Sequence, residues 1–259
     1  EADQFYPEQH GKMNWPGGPV FANDSLVDDK GRRIMWAWAC ESREAETQRA
    51  TGWSGVMTMP RVLSLGEDGT MRINPPAELA RLRMNPRRQE GVVVPDGDAV
   101  TLDGIAGDSL ELSLEVDLGE ASGFGVKVGC APDGTEETVI LCDVAAGVLK
   151  IDTTRSSLSK DIFQPFPYPQ AAYFPKKVRQ SKDIRVQEAP FQVPSGETLK
   201  LRIFLDRSVL EVFANGRQCV TQRIYPSRAD SKQIRVFCKG AAVTVRSLQA
   251  WDMASANGF

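Results

Sequence analysis

Leu201-Arg202-Ile203-Phe204-Leu205-Asp206-Arg207-Ser208-Val209-Leu210-Glu211-Val212-Phe213-Ala214-Asn215-Gly216 decides the fold class of this 259-residue chain. Leu201, Ile203 and Leu205 alternate with Lys200, Arg202 and Phe204. That period of two sets one face of a strand against a core and the other outward. Asp206-Arg207-Ser208 supplies a turn, and Val209 to Ala214 reads as a second strand. Asn215-Gly216 is the strongest short hairpin signal, because both residues tolerate the positive φ of a tight turn. Cys219 to Ile224 is then the return strand.

Outward from this hairpin the same pattern continues. Ile234 to Cys238 and Ala242 to Trp251 read as strands on the C-terminal side. Upstream, Leu110, Leu112, Leu114, Val116 and Leu118 alternate with Glu111, Ser113, Glu115 and Asp117. Gly123 to Cys130, Glu137 to Cys142 and Val148 to Asp152 follow, with Asp133-Gly134 as a turn between two of them. Many short strands without amphipathic helices predict an all-β chain, with a two-sheet β-sandwich over residues 90–259. Residues 155–190, rich in Pro, aromatic and basic side chains, read as a long excursion across its surface.

The first part of the chain reads as a separate β unit, residues 1–77. Arg33 to Ala39 is an apolar run behind the turn Asp28-Asp29-Lys30-Gly31. Trp53 to Leu65 reads as a strand pair broken or edged at Pro60, and Met71 to Ile73 as a further short strand. Pro75-Pro76 closes the unit. Glu78 to Arg83 is a helical turn too short to stand alone, and with Asn85-Pro86 it is read as a connection over 78–89.

Composition narrows the function classes. With 41% hydrophobic and 25% charged residues the chain has the makeup of a globular protein. A net charge of -3 and a pI near 5.4 give no sign of a nucleic-acid or anionic-membrane partner. The densest basic group, Arg81, Arg83, Arg87 and Arg88, is read as a solvated face. No run approaches the roughly 20 apolar residues of a membrane span. Glu1-Ala2-Asp3-Gln4 lacks the basic start and apolar run of a signal peptide. Five widely spaced cysteines without a CxxC pair argue against structural zinc and a full disulfide framework. Cys130 and Cys142 flank a hairpin, which leaves a disulfide and two buried thiols as the alternatives. The single histidine, His10, cannot build a histidine metal site, and no GxSxG elbow accompanies it. Gly17-Gly18 lacks the Lys-Ser/Thr of a phosphate loop, so no metal or cofactor is expected.

Carboxylates and aromatics remain, the vocabulary of sugar chemistry. Glycoside cleavage needs two carboxyl groups about 5–10 Å apart, one protonated and one ionised. Glu41 and Glu44, behind the tryptophan strand, are the best local candidates, although charged residues leaving a strand usually form a solvated loop. Tyr6, Trp15, Trp36 and Trp38 offer flat faces to sugar C–H groups. Trp36 and Trp38 share one face of their strand, where one of the two is expected in the core.

The Leu201–Gly216 hairpin resembles the C-terminal β-sandwich of glycoside hydrolase family 32, which includes invertases, levanases and inulinases. Gly31-Arg32-Arg33-Ile34-Met35-Trp36-Ala37-Trp38 and Trp53-Ser54-Gly55-Val56-Met57-Thr58-Met59-Pro60-Arg61 resemble the last blade of that family's five-bladed β-propeller. Phe5-Tyr6-Pro7-Glu8-Gln9 is similar to the segment entering that blade. The resemblance implies descent from a retaining fructosidase working through a covalent fructosyl-carboxylate intermediate, with sucrose or a fructan as partner. The family's nucleophile, stabilising Asp and acid/base Glu stand in Trp-Met-Asn-Asp-Pro-Asn-Gly, Arg-Asp-Pro and Glu-Cys segments, none of which occurs here. Met13-Asn14-Trp15-Pro16-Gly17-Gly18 is superficially similar to the first but lacks its attacking Asp, and Cys40-Glu41 reverses the third. The resemblance therefore assigns no catalytic residue. It carries over Tyr6 and Trp38 as sugar-pocket residues, with Asp3 one position displaced. It also implies association of the chain with itself or with a missing N-terminal portion. The alternative is a non-catalytic carbohydrate-binding or interaction sandwich derived from such an enzyme.

Overall fold

The computed structural model describes residues 12–164 and 183–256. Among these residues the chain is all-β, folded into three antiparallel sheets. The first has five strands: β1 (Val20–Val27), β2 (Arg33–Ala39), β3 (Val56–Met57), β4 (Arg61–Leu65) and β5 (Met71–Asn74). Their order is β1-β2-β4-β5, with β3 pairing β2 beside β4. The helix α1 (Ala45–Thr51) follows β2 and ends at Gly52, whose φ of 78° supplies the left-handed cap that closes a helix.

Twelve strands build the other two sheets. They are β6 (Arg83–Val94), β7 (Val100–Ala106), β8 (Ser109–Asp117), β9 (Gly123–Cys130), β10 (Thr138–Asp143), β11 (Val148–Asp152), β12 (Val186–Pro190), β13 (Leu199–Asp206), β14 (Val209–Ala214), β15 (Gln218–Arg223), β16 (Gln233–Lys239) and β17 (Val243–Met253). One sheet runs β12-β11-β10-β9-β16-β7 and the other β15-β14-β13-β8-β17-β6. The alternating leucines of β8, Leu110 to Val116, meet Leu201, Ile203 and Leu205 of β13 and Phe124, Val126 and Val128 of β9 in one buried cluster. A period-two pattern on strands from both sheets thus makes a single core. No helix among the described residues is long and apolar enough to cross a membrane.

Three readings change. The stretch 78–89 is not a free connection: a 3-10 turn, Ala77–Leu82, leads straight into β6, which pairs with β17 from Arg83 onward. Pro86 would break a central strand, but β6 is the last strand of its sheet, where a residue without an N–H is tolerated. Arg83 and Arg87 are correspondingly not a solvated face. Arg83 forks onto the buried Glu111 carboxylate with two bonds of 2.7 Å, and Arg87 pairs with Asp252 at 2.5 Å. Within 155–190, residues 186–190 form β12 on the edge of β11.

The structure also decides between the cysteine alternatives: Cys130 and Cys142 are buried free thiols. Cys142 lies opposite Phe124, six residues from Cys130 along β9, a separation of about 20 Å at the usual strand rise. A disulfide cannot bridge that distance.

Candidate functional site

The five-stranded sheet presents two unlike faces. On one, Met35, Ala37, Ala39, Arg61 and Ile73 are buried. Ile73 joins a small cluster with Phe204, Phe213 and Cys219 of the two-sheet unit. The joint is also polar. Glu211, closed to solvent, accepts from Met59 N–H at 2.6 Å and from Arg61 Nη2 at 3.1 Å, and Arg61 also donates to Thr221. Burial pushes the Glu211 carboxyl up, against the pull of the Arg61 guanidinium.

On the opposite face, aromatic and apolar side chains stand open. Register places Phe21 of β1 opposite Trp38 of β2, and Trp38 opposite Met57 of β3. They are 41%, 39% and 63% exposed, a contiguous ridge across three strands. The Phe21 and Trp38 rings meet edge to face at 6.3 Å and 69°. Gly55, with φ 70°, lies against the indole; a Cβ at that position would overlap the Trp38 ring nitrogen. A left-handed glycine therefore sets where the Trp38 ring can rest. At Phe21 and Asp24 the β1–β2 register shifts, and Ala22 takes φ 48°. Such a bulge re-aims the side chains beside it.

The strand β2 leaves the ridge into a cluster of a different kind. Glu41, its side chain only 2% exposed, accepts from Arg43 Nε at 3.1 Å and Nη2 at 3.0 Å and from the Tyr225 hydroxyl. Arg223 Nη2 stands 3.7 Å away, and Ser42 N–H caps the same carboxylate at 3.0 Å. Burial works to raise the Glu41 carboxyl, but these donors and charges outweigh it and hold it below the usual range. Burial together with the Glu41 bond raises the Tyr225 phenol. Both guanidiniums also lie over Trp53, Arg43 at 4.6 Å and Arg223 at 5.5 Å. Trp53 is 42% exposed and lines a cleft of about 810 Å³ between the five-stranded sheet and the two-sheet unit, with Met59, Asp206, Ser208 and Met253 among its walls.

Of the residues singled out from sequence, Trp38 lies on the open ridge and Trp36, on the same face, is half-buried. Glu41 is consumed by its own ion pairs. Glu44 is exposed at the start of α1, apart from any paired carboxylate in that cluster. Trp15 packs against the core of the two-sheet unit, and Gly17 C=O accepts from Gln222 at 3.1 Å. That contact makes the Met13–Gly18 stretch a strap on β15. Asp3, Tyr6 and His10 lie outside the described residues. Among the described residues no cluster of His, Cys, Asp and Glu could hold a metal ion. Sequence reasoning missed Phe21, because the apolar residues of β1 stand at its two ends, around Asn23-Asp24-Ser25, and show no alternation; the strand that enters the sheet ahead of β2 is Val20–Val27.

Comparison with known proteins bears on both parts. Residues 1–75 match the N-terminal domain of glycosyl hydrolases family 32 and residues 78–252 its C-terminal domain. The chain is 28% identical to a fructan 6-exohydrolase of Triticum aestivum over 99% of its own length and 48% of the relative's. It is 30% identical to a cell wall β-fructofuranosidase of Pisum sativum, over 88% and 45%. Among solved structures, fructan 1-exohydrolase IIa of Cichorium intybus superposes with a TM-score of 0.77 at 21% identity, over 95% of this chain and 50% of that one. The chain thus spans about half the length of the relatives it matches. Matched along both parts of its length, it belongs to glycosyl hydrolase family 32.

Proposed function

We propose that the chain is the C-terminal half of a retaining β-fructofuranosidase-type glycoside hydrolase acting on sucrose or fructans. In this reading residues 1–77 are the last blade or blades of a five-bladed β-propeller, the five-stranded sheet being the part between Val20 and Asn74. The two-sheet unit is the C-terminal β-sandwich. The carboxylates that attack and protonate the glycosidic bond lie in blades outside this chain. Sucrose and fructans enter from the relatives, which are fructan exohydrolases and β-fructofuranosidases.

One observation carries the reading. Glu41, the best-placed carboxylate behind the tryptophan strand, is closed to solvent and saturated by Arg43, Tyr225 and Ser42, with Arg223 close by. A carboxyl held ionised by guanidiniums cannot serve as the protonated acid, and one without access cannot attack a sugar carbon. What this part contributes is surface: the Trp38 ridge, with Tyr6 and Asp3 from the preceding segment, lines the sugar pocket. Away from the ridge, Leu26, Val27, Leu65 and Met71 are also exposed and give the missing blades, or a second copy of this chain, something to cover.

The test of this surface is titration of the chain with 1-kestose, followed by the fluorescence of its tryptophans. Saturable quenching that disappears in Trp38→Ala supports the reading. Quenching untouched by that substitution removes Trp38 from the pocket.

A further inference from the structure

The two-sheet unit touches the five-stranded sheet a second time, at the end of β2 next to Trp38. Arg223, the last residue of β15, is closed to solvent and reaches across this joint. Its Nη1 donates to the Ala39 carbonyl at 3.4 Å, one residue past Trp38, and its Nη2 donates to Ser208 Oγ at 3.0 Å. Two residues on, the Tyr225 hydroxyl donates to Glu41 and accepts from Ser42 N–H at 3.3 Å. Gln164, itself buried, completes the joint: it accepts from Ser42 Oγ at 2.8 Å and donates to the Arg223 carbonyl at 2.8 Å. Ala39, Glu41 and Ser42 are thus held by groups that lie 122 to 184 residues further along the chain. A second route leads to the same indole. Arg223 and Arg43 both lie over the Trp53 ring, at 5.5 and 4.6 Å. Ser54 follows, its hydroxyl donating to Gln48 Oε1 at 2.7 Å, and then Gly55, the residue packed on the Trp38 ring nitrogen. A ring held by two guanidiniums fixes the start of the segment that confines Trp38.

We propose that Arg223 and Tyr225 are positioning residues for Trp38, so that the end of β15 sets where the sugar-binding indole stands. This rests on the reading of Trp38 as a pocket residue. Both side chains act through the Ala39 carbonyl, Glu41 and Trp53. A buried guanidinium is tolerated only with its partners in place. The carbonyl, the carboxylate and the ring are therefore held to the arrangement that satisfies it, and the backbone on either side of Trp38 is held with them. A binding surface depends on such support, because an aromatic platform loosened by about 1 Å no longer meets its ligand. The two-sheet unit, which carries none of the ridge, thereby contributes to sugar binding.

The indole N–H signal of Trp38 in the 15N-labelled chain, assigned by its loss in Trp38→Phe, reads this link without any sugar. Arg223→Gln is expected to move that signal and to weaken 1-kestose binding about tenfold. Arg223→Lys, which keeps the charge, should recover part of both. Tyr225→Phe should move the signal by a smaller amount, and it carries the test if Arg223→Gln does not fold. Val245→Ala opens a cavity in the core of the two-sheet unit, on a strand with three others between it and β15. It should lower stability and leave the signal in place. An unmoved Trp38 signal in the folded variants, or the same movement in Val245→Ala, would overturn the proposal and leave Trp38 standing as a pocket residue. A moved signal with 1-kestose binding unchanged would support the link and count against the pocket reading.

Discussion

Arg61 and Glu211, 150 residues apart in sequence, meet Nη2 to Oε2 at 3.1 Å with 1% and 0% of their side chains exposed. One sits on the five-stranded sheet and the other on the hairpin of the two-sheet unit, so the pair ties the two parts together. A buried ion pair is worth little against a well-packed apolar replacement, but breaking it strands a charge. Arg61→Met and Glu211→Gln are each expected to lower stability by about 3–5 kcal/mol, read by urea unfolding. Arg61→Met/Glu211→Leu should recover much of that loss. Additive losses in the double variant would contradict the account.

Glu136 presents the complementary case, a buried carboxylate with no cation among its hydrogen-bond partners. It accepts from Leu158 N–H at 2.8 Å, Ser227 N–H at 2.9 Å, Arg228 N–H at 3.2 Å and Ser231 Oγ at 2.6 Å, and from the Ser227 hydroxyl. Burial works to raise its carboxyl, but these donors prevail and hold it below its ordinary 4.5. Its contribution to stability is therefore complete above that value and lost as pH falls through the lower folded one. Glu136→Gln should cost about 2–3 kcal/mol at neutral pH. It should also flatten the acid limb of a stability profile measured between pH 3 and pH 6. An unchanged acid limb would remove Glu136 from that role.

The Leu201–Gly216 hairpin and the Ser109–Leu118 strand were legible because their alternation is strict and their cores lie on one side. The return strand, the Asp133-Gly134 turn and the Arg33–Ala39 strand were legible for the same local reasons. β1 was not legible: Val20 alone is buried, and Phe21 to Val27 stay open, so the strand carries no periodic signal. Pro86 hid the start of β6, which depends on its edge position and its pairing with β17. The candidate site was half legible. The tryptophan strand showed itself, but the ridge requires cross-strand neighbours, Phe21 and Met57, that no local pattern connects. Glu41 looked like a free loop carboxylate because its partners Arg223 and Tyr225 lie far away in the chain.

Gly55 offers a direct handle on the ridge. Its Cβ in Gly55→Ala would displace the Trp38 indole, and its φ of 70° disfavours any side chain. The substitution should alter Trp38 emission and weaken 1-kestose binding as much as Trp38→Ala does, while Trp53→Phe leaves the ridge intact. Normal sugar binding in Gly55→Ala would show that the indole position does not matter.

The thiols give a further prediction. Cys130, Cys142 and Cys219 are buried, and burial raises them to about 11, 12 and 12. Cys40 is the half-buried one. Titration with a disulfide reagent should find five thiols after denaturation without reductant, and a native chain in which Cys40 reacts first. A count of three would reveal a disulfide that the strand geometry forbids.

The central claim is that this chain supplies sugar-binding surface and structural support, while bond cleavage belongs to blades outside it. Release of fructose from sucrose and inulin, measured on the purified chain with its mass verified at 28.5 kDa, tests that most directly. The account predicts no release. Fructose released at that intact mass, and abolished by Glu41→Gln or Glu44→Gln, would place catalytic carboxylates in this chain and contradict it.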